Sequence, residues 1–260
     1  MPKTDTGRVS AAAEIPIFAV TPRKPSACVV VIHEVWGLVP HISDVCRRVS
    51  KLGFAALAPD LYWRHKKLLT PDNIQNAMQG VWDLSLEERR DALKVNTAIA
   101  KKGLGKTALE TASILYNPQF RDEILADTTL CAERARSAYG RVAVLGFCLG
   151  GGLSLGVAAN SNHLRSVVAF YGEPPNRENV ARISCPMLTI YAGQDEIINA
   201  RVPAFVKDAM DSGKDLTLKT YPRTRHGFFN DTRTDLYKEK EANDAWELTR
   251  WFLENTFVHR

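Results

Sequence analysis

Six short runs of apolar, largely β-branched residues punctuate the chain: Cys28 to Ile32 (CVVVI), Phe54 to Ala58 (FAALA), Arg141 to Leu145 (RVAVL), Ser166 to Phe170 (SVVAF), Met187 to Tyr191 (MLTIY) and Leu216 to Tyr221 (LTLKTY). Near-continuous apolar runs of this kind read as strands covered on both faces. The stretches between them are long enough for helices, and helical crossovers imply parallel pairing. The two readings together give an α/β sandwich, a mostly parallel central sheet with helices on both faces. Ile15 to Val20 (IPIFAV) adds an early strand, expected antiparallel at the edge because only a short turn around Thr21 to Ser26 precedes the next one.

Helices are expected at about His41 to Lys51, Leu149 to Ala159, Ala200 to Ser212 and Lys238 to Glu254. The last places Ala242, Ala245, Trp246, Leu248 and Trp251 to Leu253 near one face and should pack on the sheet. Residues 61–140 resist decoding: polar helical patterns interrupted by Pro71, Gly103, Gly105 and Pro118, too long for a plain crossover. With no repeat, linker or shift in composition, the expectation is one domain over residues 1–260 with a helical excursion at about 61–140, or in its sharper form a cover over an active site.

Composition narrows the classes of function. At 45% hydrophobic and 24% charged residues the chain is ordinary for a globular protein and not disordered, collagenous or coiled-coil. The net charge of +5 comes from interspersed residues, and the pairs Lys66-Lys67 and Lys101-Lys102 are too short for a phosphate-tracking face. No nucleic-acid partner is expected, only a mild attraction for anionic substrates. No run of eighteen apolar residues and no signal-peptide pattern occurs, so the expectation is a cytoplasmic, uncleaved protein without a membrane partner. Cys28, Cys46, Cys131, Cys148 and Cys185 are odd in number, without CxxC spacing or neighbouring His ligands. Neither a disulfide framework nor a metal site is expected, and free thiols fit a reducing compartment.

The strongest local signal is Gly146-Phe147-Cys148-Leu149-Gly150 with Gly151 and Gly152 following, set between an expected strand and an expected helix. A nucleophile elbow requires that context: the nucleophile sits in a strained conformation, with small residues two before and two after it because strand and helix approach closely. A thiol at a helix N-terminus beside an imidazole can ionise near neutral pH, which makes Cys148 the candidate nucleophile. The bland readings are a phosphate-cradling turn or a small buried hydrophobe. No Walker lysine follows and no GxGxxG opens the first strand–helix turn, which disfavours the former.

An elbow nucleophile needs an acid and then a histidine downstream. Asp195 follows the strand Met187 to Tyr191, and His226 follows the strand Leu216 to Tyr221, both at C-terminal strand ends where open α/β sheets place their crevice. Taken singly, Asp195 could be a helix N-cap and His226 a surface residue. Glu196 is the rival acid, and His259 is the sole later histidine.

With these residues in hand, the sequence resembles the dienelactone hydrolase (carboxymethylenebutenolidase) family of α/β-hydrolases. The resemblance rests on Val30 to Gly37 (VVIHEVWG), Gly53 to Tyr62 (GFAALAPDLY), Val144 to Gly151 (VLGFCLGG), Leu188 to Asp195 (LTIYAGQD), His226 to Asp231 (HGFFND) and the helix carrying Glu241 to Trp246 (EANDAW), collinear over most of the chain. It implies an α/β-hydrolase fold in which Cys148 attacks a lactone or ester carbonyl, His226 relays the proton and Asp195 orients the imidazole. It further implies that Glu34 accepts the thiol proton when substrate enters. The backbone N–H groups of Val35 and Leu149 would form the oxyanion hole. Family members use arginines for a substrate carboxylate, one shortly after the histidine; four residues on, this chain has Asn230. Arg64, Arg225 or Arg233 could substitute, and Trp36, Arg64, Phe228 and Arg233 are the expected substrate contacts. The implied protein is a monomer or weak homo-oligomer acting on a small lactone or ester without metal or organic cofactor. The alternatives are a carboxylesterase or thioesterase of the same fold, or a non-catalytic ligand binder or thiol sensor.

Overall fold

A computed structural model describes residues 15–85 and 87–258, so His259 lies outside the described residues. Among the described residues seven strands form one sheet: β1 (Ile17–Val20), β2 (Cys28–Ile32), β3 (Ala55–Pro59), β4 (Val142–Phe147), β5 (Ser166–Phe170), β6 (Met187–Ala192) and β7 (Leu216–Tyr221). Their order is β1-β3-β2-β4-β5-β6-β7. All neighbours are parallel except β1, which runs antiparallel to β3. The expected edge strand is therefore present, but its partner is β3 and not the strand that follows it. β2 already has β3 and β4 on its two sides, which leaves the outer edge of β3 as the place where β1 can pair.

The apolar runs have a simple cause. In β2, Cys28, Val30 and Ile32 pack on one face while Val29 and Val31 pack on the other, and all five are fully buried. Alternate side chains point to opposite faces of a strand, so a sheet covered twice needs an apolar residue at every position. One face is covered by α1 (Pro40–Lys51) and α10 (Glu239–Val258), whose Ile42, Val45, Ala245 and Leu253 join Val29 and Val31. The other carries α5 (Pro118–Tyr139), α6 (Leu149–Asn160), α7 (Arg177–Arg182) and α9 (Val202–Asp211), through Ile124, Leu153, Val180 and Phe205.

Residues 61–140 divide into two parts. The long α5 is the crossover helix between β3 and β4, capped by Asn117, whose side chain accepts the Gln119 N–H at 2.9 Å, and started by Pro118. Before it, α2 (Pro71–Val81), α3 (Ala92–Lys101) and α4 (Gly105–Leu115) close around a small core of their own from Ala77, Val81, Val95, Ile99, Ala108 and Ala112. The helix expected over Ala200 to Ser212 is α9, with Pro203 in its first turn, and the short α8 (Glu196–Asn199) precedes it. Among the described residues no helix is long and apolar enough to cross a membrane.

The chain winds outward from β2 to β3 and then returns to place β4 on the other side of β2. That reversal opens a crevice beyond the C-terminal ends of β2 and β4. Glu34 follows the first of these strands and Cys148 the second.

Candidate active site

Cys148 joins β4 to α6 with φ 53° and ψ −116°, a backbone conformation costly for any residue with a side chain. Its own N–H donates to the Phe170 carbonyl at 3.0 Å, which anchors the bend to β5. Gly146 and Gly150 make the bend possible. A Cβ on Gly146 would run into the Gly150 carbonyl and Ser154 Oγ, and one on Gly150 into the carbonyl oxygens of Ile32 and His33. Strand, helix and the end of β2 thus meet backbone to backbone, and Cys148 is lifted to the crevice floor.

Asp195 follows β6 and is 8% exposed. Its Oδ1 accepts the Ile198 N–H at 3.4 Å, capping α8, while Oδ2 lies 2.5 Å from His226 Nδ1. The helix cap and the contact with the imidazole fall on different oxygens of Asp195. With Nδ1 on the carboxylate, Cys148 is the other side chain that acts on the imidazole. Burial alone would drive the proton off this ring. The charge of Cys148 and the Asp195 carboxylate outweigh it and raise the His226 pKa well above its ordinary value. The rival acid, Glu196, is exposed on the cavity rim, and no hydrogen bond joins it to the ring.

Glu34 is 2% exposed and lines the same cavity as Cys148. Its two oxygens accept from the Tyr171 hydroxyl at 3.2 Å and from Asn230 Nδ2 at 2.6 Å. Tyr171 takes a positive φ of 39° just beyond β5, and its ring lies 4.9 Å from that of His226. Burial, then the neighbouring Glu34 and Cys148, push the Tyr171 pKa far upward, so its hydroxyl stays a donor. Asn230 Oδ1 accepts from the backbone N–H and hydroxyl of Thr232, at 3.0 and 2.7 Å, which fixes the orientation of the amide.

Val35 and Leu149 also line the cavity. Leu149 opens α6, so its N–H has no carbonyl partner inside the helix. Val35 N–H is aimed indirectly. The Glu34 carbonyl of the same peptide is 2.6 Å from His33 Nδ1 and accepts the Gly37 N–H at 3.1 Å, and a trans peptide points its N–H the opposite way. The Leu61 N–H donates to His33 Nε2 at 3.3 Å, which assigns the proton to Nδ1, and burial lowers the His33 pKa so that the ring stays neutral.

The cavity has a volume of about 640 Å³ and brings Glu34, Val35, Trp36, Cys148, Leu149, Asp195, His226, Arg225 and Arg233 together. Two expected substrate contacts are not on it. Arg64 instead engages the Asp127 carboxylate with both terminal nitrogens and lies over the Trp63 ring. Phe228 is fully buried behind the site, its ring packed against those of Tyr171 and Tyr221. The aromatic character that suggested a substrate contact serves the core there.

The part of the excursion before α5, the expected cover, contributes cavity lining: Gln75, Met78 and Trp82, from α2 and its C-cap, line the cavity together with Tyr116. Glu173, beyond β5, ties this cover down. Its carboxylate pairs with Arg90 at 2.7 Å, Arg121 at 3.1 Å and Arg201 at 2.8 Å, and Arg201 also holds Glu87. Among the described residues, no cluster of three or more His, Cys, Asp or Glu could hold a metal ion.

Sequence reasoning passed over Tyr171, His33 and Glu173. Tyr171 and Glu173 stand directly beyond a strand end on the crevice side, as Asp195 does, and that position was a usable signal. The cover residues carried none, since the same helical spacing serves core and cavity wall alike.

The sequence profile of the dienelactone hydrolase family matches residues 15–257. A protein of Saccharolobus solfataricus provisionally named carboxymethylenebutenolidase is 37% identical over 247 residues, which span 93% of this chain and 94% of that one. One of the same provisional name from Methylorubrum extorquens is 30% identical over 253 residues, 92% of this chain and 76% of the other. Among solved structures, a provisionally assigned dienelactone hydrolase from Klebsiella pneumoniae superposes with a TM-score of 0.69 at 22% identity, over 96% of this chain and 95% of that one. A carboxyl esterase from Bacillus coagulans does so at 0.63 and 13%, over 94% of each. These two structures share the α/β-hydrolase fold.

Proposed function

The chain is a hydrolase of the dienelactone hydrolase family, and on that premise we propose that it opens lactones or small carboxylic esters through a cysteine acyl-enzyme. The observation that carries this reading is the Asp195–His226 hydrogen bond on the same cavity as Cys148, which stands at the N-terminus of α6.

In the proposed cycle the Cys148 thiolate attacks the carbonyl carbon, forming a C–S bond and moving the carbonyl electron pair onto oxygen. The Val35 and Leu149 N–H groups receive that oxyanion, each worth roughly 3 kcal/mol to the transition state. The C–O bond to the alcohol then breaks, and the leaving oxygen takes its proton from the His226 imidazolium. Water attacks the thioester and gives a proton to His226, the C–S bond breaks, and the acid leaves with the thiolate restored. Glu34 is the second acceptor for a thiol proton, once substrate draws it from Tyr171 or Asn230. No cofactor enters any of these steps. A small lactone or ester is the proposed partner, and the cytoplasm the proposed location.

The test is to stop the reaction with acid during turnover of p-nitrophenyl esters and of a dienelactone, and to weigh the protein. An increment equal to the acyl group on the Cys148 peptide is expected. An increment on another residue, or turnover with none on Cys148 under burst conditions, would overturn the mechanism.

A pH dependence follows from His226. Because its pKa is raised, the imidazolium persists above neutral pH and is lost as pH rises through the raised value. For alkyl esters, whose leaving alkoxide needs that proton, kcat/KM is expected to fall on the alkaline side. Asp195→Asn removes one of the charges that raise the pKa and should move this alkaline limb to lower pH. A limb that stays in place in a pH-stat assay would count against the assignment.

A further inference from the structure

The groups around the proposed nucleophile say something about the substrate, given the ester-hydrolase reading above. Asn230 is 1% exposed, and its amide is spent inside the protein, between Glu34 on one side and Thr232 on the other. The floor of the cavity therefore presents a buried carboxylate held by neutral donors, with no arginine or lysine paired to it. A carboxylate on the substrate at this depth would face Glu34 across a low-dielectric gap.

Three of the four arginines on the walls are already engaged. Arg121 is paired with Glu173 at 3.1 Å. Arg233 is paired with Asp235 at 3.3 Å and lies over the Trp36 ring at 5.3 Å. Arg89 donates to the carbonyls of Leu84 and Trp82, at 3.0 and 3.2 Å, holding the turn of the cover. Arg225 is an exposed residue of the rim, where water competes with any ligand. Among the described lining residues the carboxylates outnumber the arginines, five to four.

The rest of the wall is apolar. Met78, Trp82 and Tyr116 of the cover lie on the same cavity as Leu149 and Ile197, and two of these are unusually bare: Trp82 is 49% exposed and Ile197 42%. They come from separate parts of the chain, the cover and α8, and share one opening. Large apolar side chains gathered at the rim of a cavity mark a place where a ligand removes them from water.

We propose that the substrate class of this site is the uncharged ester or lactone bearing an apolar arm of several carbons, with the arm lying along Trp82 and Ile197, and not the small carboxylate-bearing lactone.

The experiment compares kcat/KM for p-nitrophenyl acetate, p-nitrophenyl hexanoate and the p-nitrophenyl monoester of adipate, which replaces the terminal methyl of the hexanoyl chain by a carboxylate. Hexanoate is expected to exceed both others by about tenfold or more. Trp82→Ala should reduce the hexanoate-to-acetate ratio by about fivefold, and Ile197→Ser reads the same ratio should the first variant fail to fold. Equal or faster turnover of the adipate monoester, or a ratio near one between hexanoate and acetate, overturns this inference alone. Absence of Cys148-dependent turnover with all three esters would overturn the mechanism together with it.

Discussion

Cys148→Ala is expected to lower kcat/KM for any ester this protein hydrolyses by about 10⁴-fold or more, with little change in melting temperature. The loss is large because the residues of a nucleophile–base–acid line act as a unit. What survives the removal of the nucleophile is the oxyanion donors and substrate binding. Little stability should be lost because the feature that constrains this position is its backbone, at φ 53°, and alanine inherits the same strain without adding to it. The bend is held by the Cys148 N–H on the Phe170 carbonyl and the Gly152 N–H on the Cys148 carbonyl, backbone bonds that the substitution leaves intact. Steady-state kinetics with a melting curve for each protein check both halves. A variant retaining more than about one per cent of the wild-type rate would remove the sulfur from the mechanism.

The second large effect is structural. Gly146→Ala is expected to destabilise the protein by about 3 kcal/mol or more and lower its melting temperature by about 5 to 10 °C. The added methyl meets the Gly150 carbonyl and Ser154 Oγ. Ser154 cannot yield cheaply, since its hydroxyl donates to that same Gly150 carbonyl at 2.7 Å. Gly150 cannot retreat, because it is seated against the carbonyl oxygens of Ile32 and His33. Gly152→Ala, in the first turn of α6, is the matched control: its methyl would find only ordinary contacts at 3.4 Å and beyond. There the helix propensity of alanine should offset what little crowding arises. Thermal melting of the pair tests the claim, and a Gly146→Ala protein as stable as the control would show that strand and helix are not locked at this bend.

The two effects share a cause. The close approach that demands glycine at 146 and 150 also drives residue 148 into its bend and aims the first N–H of α6 at the cavity, so the chemistry and the fold depend on the same few ångströms.

The sheet was legible in the sequence because every strand buried on both faces must be apolar throughout, and that pattern survives in one dimension. CVVVI and SVVAF are fully buried strands for that reason. The elbow was legible because it packs glycines around one reactive residue at fixed spacing. Asp195 and His226 could be located from strand ends alone, although their meeting depends on β6 and β7 lying side by side. The pairing of β1 with β3 could not be read, since it turns on which sheet edge is left open. Arg64 and Phe228 were misplaced because an arginine or a phenylalanine near a catalytic block reads the same whether it faces the cavity, a buried Asp127 or the core.

The order of strands and helices, the glycine-rich bend around Cys148 and the chain positions of Asp195 and His226 are properties of the sequence itself, because periodicity and local turn chemistry act between near neighbours. Only the tertiary structure decided that Asn230 and Tyr171 occupy both oxygens of Glu34, that His33 sets the Val35 peptide, and that α2 roofs the cavity with Met78 and Trp82. Each of those contacts joins residues far apart in the chain, and a hydrogen bond or a cavity wall depends on where the backbone carries two groups, not on which residues stand beside them in sequence.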